Sequence, residues 1–144
     1  TGLGPGRSDI SIERVAINLN DARIPDNLGA QPVDTAVIPE GPAAYFSTLP
    51  VKAMVKALRD AGIAASVSHT AGTFVCNQVF YSLQHALAGS GVRSGFIHVP
   101  FLPGQGAGPQ PSMALGATVE GLRVAVLAAW NTPQDIPESG GQVC

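Results

Sequence analysis

The chain has 144 residues, 45% of them hydrophobic and only 12% charged, with a net charge of −2. That length and apolar content suit one domain with a real core, and so weak a field excludes recruitment by nucleic acid or an anionic membrane surface. No apolar run reaches the roughly 18 residues of a membrane span, and the opening Thr1-Gly2-Leu3-Gly4-Pro5-Gly6-Arg7 has no signal-peptide design, so the expectation is a soluble, cytoplasmic protein.

In chain order, Gly2 to Gly6 reads as a turn, because it lacks the Lys-Ser/Thr of a phosphate loop. Arg14 to Asn20 alternates apolar and polar residues and predicts a half-buried strand with Glu13 at its entrance. Asp21 to Gln31, with Pro25-Asp26-Asn27 and Gly29, and Pro39 to Pro42 are surface loops. Pro50 to Gly62 is an amphipathic helix, opened by Pro and closed by Gly, with Val51, Met54, Val55 and Leu58 on its apolar side. Ile63 to Ser68 and Ser94 to Pro100 are short strands. Between them, Val75 to Ala88 carries Val79, Phe80, Leu83 and Leu87 at helical spacing. A last helix runs from a Ser112 cap to about Ala129. Strands alternating with helices predict an α/β domain over 1–144, a three-layer α/β/α sandwich around a twisted, largely parallel but mixed sheet.

The chemistry-bearing residues cluster in that frame. Cys76 falls where the chain leaves a strand through Ala71-Gly72-Thr73-Phe74 and enters a helix. The positive helix end there favours thiolate over thiol, and the same amides suit an oxyanion. A packed, inert cysteine is the plain alternative. His98 sits at the C-terminal end of the next strand, on the rim where open α/β sheets bind ligands, and a neutral imidazole there serves as general base. A satisfied strand-end histidine is its plain alternative. Glu13, Glu40, Asp21 and Asp26 all qualify as the acid that orients the imidazole, and periodicity does not choose among them. Three scattered His and two distant Cys do not have zinc-site spacing, so no metal is expected. Cys144 follows Gly140-Gly141 at the end of the chain and is a candidate for an intersubunit disulfide rather than a bond to Cys76.

Five blocks of this sequence resemble the pyroglutamyl peptidase I family, the pyrrolidone-carboxylate peptidases. They are Gly4 to Asn18, Asp21 to Asn27, Gly41 to Pro50, Ala71 to Asn77 and Gly95 to Pro100, in the family's order. The resemblance implies that Glu13, Cys76 and His98 form the catalytic triad, that Phe74 and Val75 line the pocket for the pyroglutamyl ring, and that Arg23 polarises the oxyanion region. It implies a cysteine peptidase that removes N-terminal 5-oxoproline from peptides through an acyl-enzyme, with no cofactor, in a homotetramer. The family also carries roughly another third of chain before the first block, with strands and pocket residues of its own. Gln78 stands where many relatives have His, and Gly104-Gln105 replaces a more usual Glu-Gln. The other readings are an inactive assembly or binding module and a cysteine amidase of different acyl specificity.

Overall fold

The computed structural model describes residues 1–106 and 108–141; the Cys144 disulfide expectation lies outside them. The elements are β1 (Gly2–Leu3), β2 (Ile10–Glu13), β3 (Val15–Ile17), β4 (Ala44–Phe46), α1 (Val51–Asp60), β5 (Ala65–Ser68), α2 (Val75–Leu87), β6 (Phe96–Val99) and α3 (Leu115–Asn131). The fold is α/β, with four strands in succession before helices and strands alternate from α1 to α3. They group into two compact units, Thr1–Ile12 with Leu49–Ser68 and the chain from Phe96 onward, and Glu13–Thr48 with His69–Gly95. No described helix is long and apolar enough to cross a membrane.

The first unit holds a four-stranded sheet in the order β1-β6-β2-β5, with β1 and β6 parallel through Gly2↔His98 and Leu3↔Val99. Gly2-Leu3, expected to be only turn, is therefore an edge strand. All four residues of β2 are buried, so this strand shows no period-two alternation. For that reason the expected single strand from Arg14, with Glu13 at its entrance, is corrected: Glu13 closes β2, and β3 begins afresh at Val15. Ile10, Ile12, Val51, Met54, Val55, Leu58, Val67, Ile97 and Ala125 form the core of this unit.

Helix α1 ends as its Gly62 predicted. Gly62 adopts φ 73°, and the backbone N–H groups of Gly62 and Ile63 donate to the carbonyls of Arg59 and Leu58 at 2.9 Å each, which closes the last turn. Its start has no capping side chain at Pro50. Instead the Asp135 carboxylate, from the segment after α3, accepts from the N–H of Lys52 at 3.1 Å and of Ala53 at 2.9 Å. Asp135→Ala is thus expected to lower stability by about 1–2 kcal/mol, the usual range for a lost N-terminal cap, read as a denaturation midpoint shift at constant slope.

Helix α3 begins at Leu115, three residues beyond the expected Ser112 cap (115 − 112 = 3). Ser112 pairs with Phe101 in a β-bridge and the Met113 N–H donates to the Phe101 carbonyl at 2.8 Å, so this backbone is committed before the helix starts. The helix buries only Thr118, Gly121 and Ala125. Small residues are needed there because a Cβ on Gly121 would run into Ile10 Cδ1 and press on Ile63 and Leu58.

In the second unit β3 and β4 pair antiparallel, Val15↔Phe46 through Ile17↔Ala44, and α2 packs on both. The face of α2 that is buried comprises Asn77, Phe80, Tyr81 and Gln84, whereas Val79 and Leu83 are exposed. Each buried polar group on that face has a partner: Tyr81 Oη donates to the Pro42 carbonyl at 2.6 Å and Gln84 Nε2 to the Ser94 carbonyl at 2.9 Å. Burial, then the neighbouring Tyr45, push the Tyr81 phenol above its ordinary pKa. A phenol whose pKa is raised on folding stabilises the fold fully below the unfolded value near 10, and that contribution is lost as pH climbs through the folded value. Tyr81→Phe should cost about 1 kcal/mol at neutral pH, for the lost hydrogen bond, and flatten this alkaline decline in melts run from pH 8 to 11. An unchanged alkaline slope in the variant would remove Tyr81 as its cause.

Candidate active site

Cys76 is the second residue of α2, and Phe74 is its N-cap residue. The lead-in is shaped for a sharp entry. Gly72 lies at φ 80°, a left-handed conformation natural to glycine, and its N–H donates to Thr70 Oγ1 at 3.1 Å. Phe74 is extended, at φ −119° and ψ −148°, and offers no capping side chain, so the helix's positive end is left to the residues of the first turn. The first intrahelical bond runs from the Gln78 N–H to the Phe74 carbonyl at 2.9 Å. Cys76 and Phe74 are half-buried, and Val75 is exposed at the helix start.

The elbow is tied to the chain that follows β3. Asp21 N–H donates to the Thr73 carbonyl at 2.8 Å, and Thr73 Oγ1 donates to the Asp21 carbonyl at 2.9 Å. This brings the Asp21-Ala22-Arg23 segment to the loop that precedes Cys76. Arg23 itself is exposed, on a loop closed by a 2.8 Å bond from the Ala22 N–H to the Pro32 carbonyl.

The four candidate acids differ sharply in setting. Glu13 has 0% exposure at the end of β2, while Asp21, Asp26 and Glu40 are exposed. Asp26 is occupied in its own turn, accepting from the N–H groups of Leu28 and Ala30. A fully buried carboxylate is tolerated only where hydrogen bonds or a counter-charge offset its desolvation, and of the four only Glu13 lies in such a setting. His98, in the first unit, is buried at 4% exposure on β6 and lies edge-on to Phe96 at 5.1 Å between ring centroids. Its strand is flanked in the sheet by β1 and β2. Of the remaining histidines, His69 is exposed just past β5, and His85 is exposed on α2, with Nδ1 2.9 Å from the Tyr45 hydroxyl.

One residue without an assigned part in the sequence reading stands out. Asn77, beside Cys76, is buried at 1% exposure with every side-chain hydrogen bond going to β3 or its exit. An Asn in the first turn of a helix is common enough that nothing in the local pattern marks it.

The sequence of the pyroglutamyl peptidase family matches residues 1–132 of the chain. A pyrrolidone-carboxylate peptidase of Pseudomonas fluorescens is 80% identical over 144 residues, which cover 99% of this chain and 68% of the relative; one from Cupriavidus taiwanensis is 59% identical over 147 residues, covering 99% and 68%. Among solved structures, the pyroglutamyl peptidase I of Bacillus amyloliquefaciens superposes with a TM-score of 0.91 at 44% identity, covering 96% of this chain and 66% of that one. The pyrrolidone carboxyl peptidase of Thermococcus litoralis superposes with a TM-score of 0.91 at 40% identity, covering 96% and 69%. The chain thus spans about two thirds of the length of the relatives it matches. With the match running through the Glu13, Cys76 and His98 blocks and the folds superposing, the chain belongs to the pyroglutamyl peptidase family.

Proposed function

We propose that this protein is a cysteine exopeptidase that releases N-terminal pyroglutamate from peptides, with Cys76 as nucleophile, His98 as base and Glu13 as the acid that orients His98. The observation that carries the reading is the family match across all three residues together with the cysteine's seat in the first turn of α2.

The chemistry follows from the residue types. The Cys76 thiol gives its proton to the His98 imidazole, and the thiolate attacks the carbonyl carbon of the pyroglutamyl residue. The carbonyl π pair moves to oxygen, and first-turn amides at the positive helix end stabilise that oxyanion, with Arg23 as the charged group that the family resemblance assigns to help them. Collapse of the tetrahedral species breaks the C–N bond; the imidazolium protonates the departing amine, leaving a thioester on Cys76. Water, deprotonated by His98, then attacks the thioester, releasing pyroglutamate and restoring the thiol. Phe74 and Val75 supply apolar surface for the lactam ring, a small neutral group that suits an apolar pocket with few polar contacts. The protein works without a cofactor, in the cytoplasm, as a homo-oligomer.

A fluorogenic pyroglutamyl amide, assayed before and after thiol alkylation, tests this directly. Release that alkylation abolishes is the expected result. The prolyl amide, which lacks the ring carbonyl and carries a protonated amine in place of the neutral lactam N–H, should be turned over at least about a hundredfold more slowly, because it leaves the partner of that oxygen unpaired and brings a charge to an apolar site. Equal rates on both amides would replace the assignment with a cysteine amidase of broader specificity. A folded chain with no release of either would leave a binding or assembly module.

A further inference from the structure

We propose that Asn77 and Thr73 are positioning residues for Cys76: together they dock the 73–77 elbow along one edge of strand β3 and its exit, holding the sulfur at a fixed place. The inference rests on the reading of Cys76 as nucleophile.

Within the described residues β3 belongs to a two-stranded sheet and pairs with β4 alone. Its β4-facing edge is marked by the bonds flanking that pairing, Asn18 N–H to the Ala43 carbonyl at 2.9 Å and Ser47 N–H to the Arg14 carbonyl at 2.8 Å. In an extended strand the N–H and C=O of one residue point to the same side and alternate with the next, so residues 17, 19 and 21 present their backbone to the opposite edge. That edge is met by the elbow. Asn77 Oδ1 accepts from the Ile17 N–H at 3.0 Å, and Asn77 Nδ2 donates to the carbonyls of Ile17 at 2.9 Å and Leu19 at 3.0 Å. Two steps on, Asp21 exchanges its pair of bonds with Thr73, at 2.8 and 2.9 Å.

The carboxamide of Asn77 thus does what a third strand's peptide group would do, one donor-acceptor pair offered to one edge. Only Asn or Gln has both functions in a planar group, and Asn is short enough to present them from a helix lying against the strand. The five hydrogen bonds bracket Phe74-Val75-Cys76 on both sides, three from residue 77 and two from residue 73. Asn77 is buried, so its bonds do not exchange with solvent. A nucleophile must be held within a fraction of an ångström of its attack position, and a displacement of about 1 Å costs on the order of a hundredfold in rate. The clamp acts through Cys76 and touches no substrate.

The test uses the full chain with Asn77→Ala, Asn77→Asp, which keeps the shape but has no donors when ionised, Thr73→Val, and Thr73→Ser, which keeps the hydroxyl. Two quantities are read: kcat and KM on the pyroglutamyl amide, and the rate of Cys76 alkylation by iodoacetamide across pH 5 to 9. The Asn77 variants should lose about 100-fold in kcat with KM within about threefold, and Thr73→Val about 10-fold, while Thr73→Ser behaves as the parent. The alkylation profile of the Asn77 variants and Thr73→Val should shift in midpoint or plateau. A folded Asn77 variant with parental kcat and alkylation profile overturns the proposal; if both Asn77 variants fail to fold, a folded Thr73→Val with parental values overturns it equally. A parent protein that releases no amine sinks the peptidase reading, and the alkylation profiles still decide whether the clamp sets the thiol's environment.

Discussion

Cys76→Ser and His98→Ala should each reduce release of amine from a pyroglutamyl amide by about 10⁴-fold or more, while Glu13→Gln leaves a measurable rate. The asymmetry has a physical origin. Without the thiolate no thioester forms, and without the imidazole neither the thiol nor the hydrolytic water is deprotonated, nor is the departing amine protonated. Glu13 exchanges no proton in this scheme; it favours one tautomer and orientation of the base and stabilises the imidazolium, so its loss is graded. In triads of this kind, removing the orienting acid costs on the order of a hundredfold less than removing the nucleophile. Measuring kcat/KM for the three variants, with melts to show that each is folded, checks the ordering. Near-parental rates in all three would refute the triad, and a Glu13→Gln loss as deep as that of Cys76→Ser would give Glu13 a proton-transfer part.

The second large effect concerns stability and separates two readings of α2. Phe80 has 0% exposure, and Val79, next to it in sequence and similarly apolar, is 52% exposed. Phe80→Ala should therefore destabilise by about 3–5 kcal/mol, combining lost transfer energy with the cavity left behind. Val79→Ala should stay within about 0.5 kcal/mol, as surface substitutions do. Against a typical total stability of about 5–15 kcal/mol, the first removes a large fraction of what holds the domain folded. Denaturant titrations of both variants give the comparison, and similar losses would mean that the face of α2 assigned here is wrong.

That comparison also shows where pattern reading reaches its limit. Apolar spacing identified α2 as a helix, but it included Val79 and Leu83 among the face-forming residues, both of which are exposed. The buried face contains Asn77 and Gln84, polar residues that go inside because distant backbone groups, on Ile17, Leu19 and Ser94, complete their hydrogen bonds. The partners of Asn77 lie 58 and 60 residues away, outside any local window, and that of Gln84 lies past the end of the helix. The same holds for Asp135, which caps a helix more than 80 residues away, and for Gly2-Leu3, whose strand exists only because β6 lies beside it. Strand β2 was hidden for a related reason: with all four residues buried, it lacks the alternation by which strands are recognised.

By itself, the sequence determined the α/β alternation, the helix of α1 with its glycine stop, the seat of Cys76 at a helix start, and, through its motifs, the family. These are matters of local backbone preference, apolar period and residue order, all written within short spans of chain. Tertiary structure alone decided that Glu13 ends a buried strand rather than opening a half-exposed one, which face of α2 turns inward, and that Asn77 and Thr73 bind the cysteine's elbow to residues 17–21. Each of those depends on hydrogen bonds and burial between segments up to 60 residues apart, where desolvation penalises any polar group whose partner is missing.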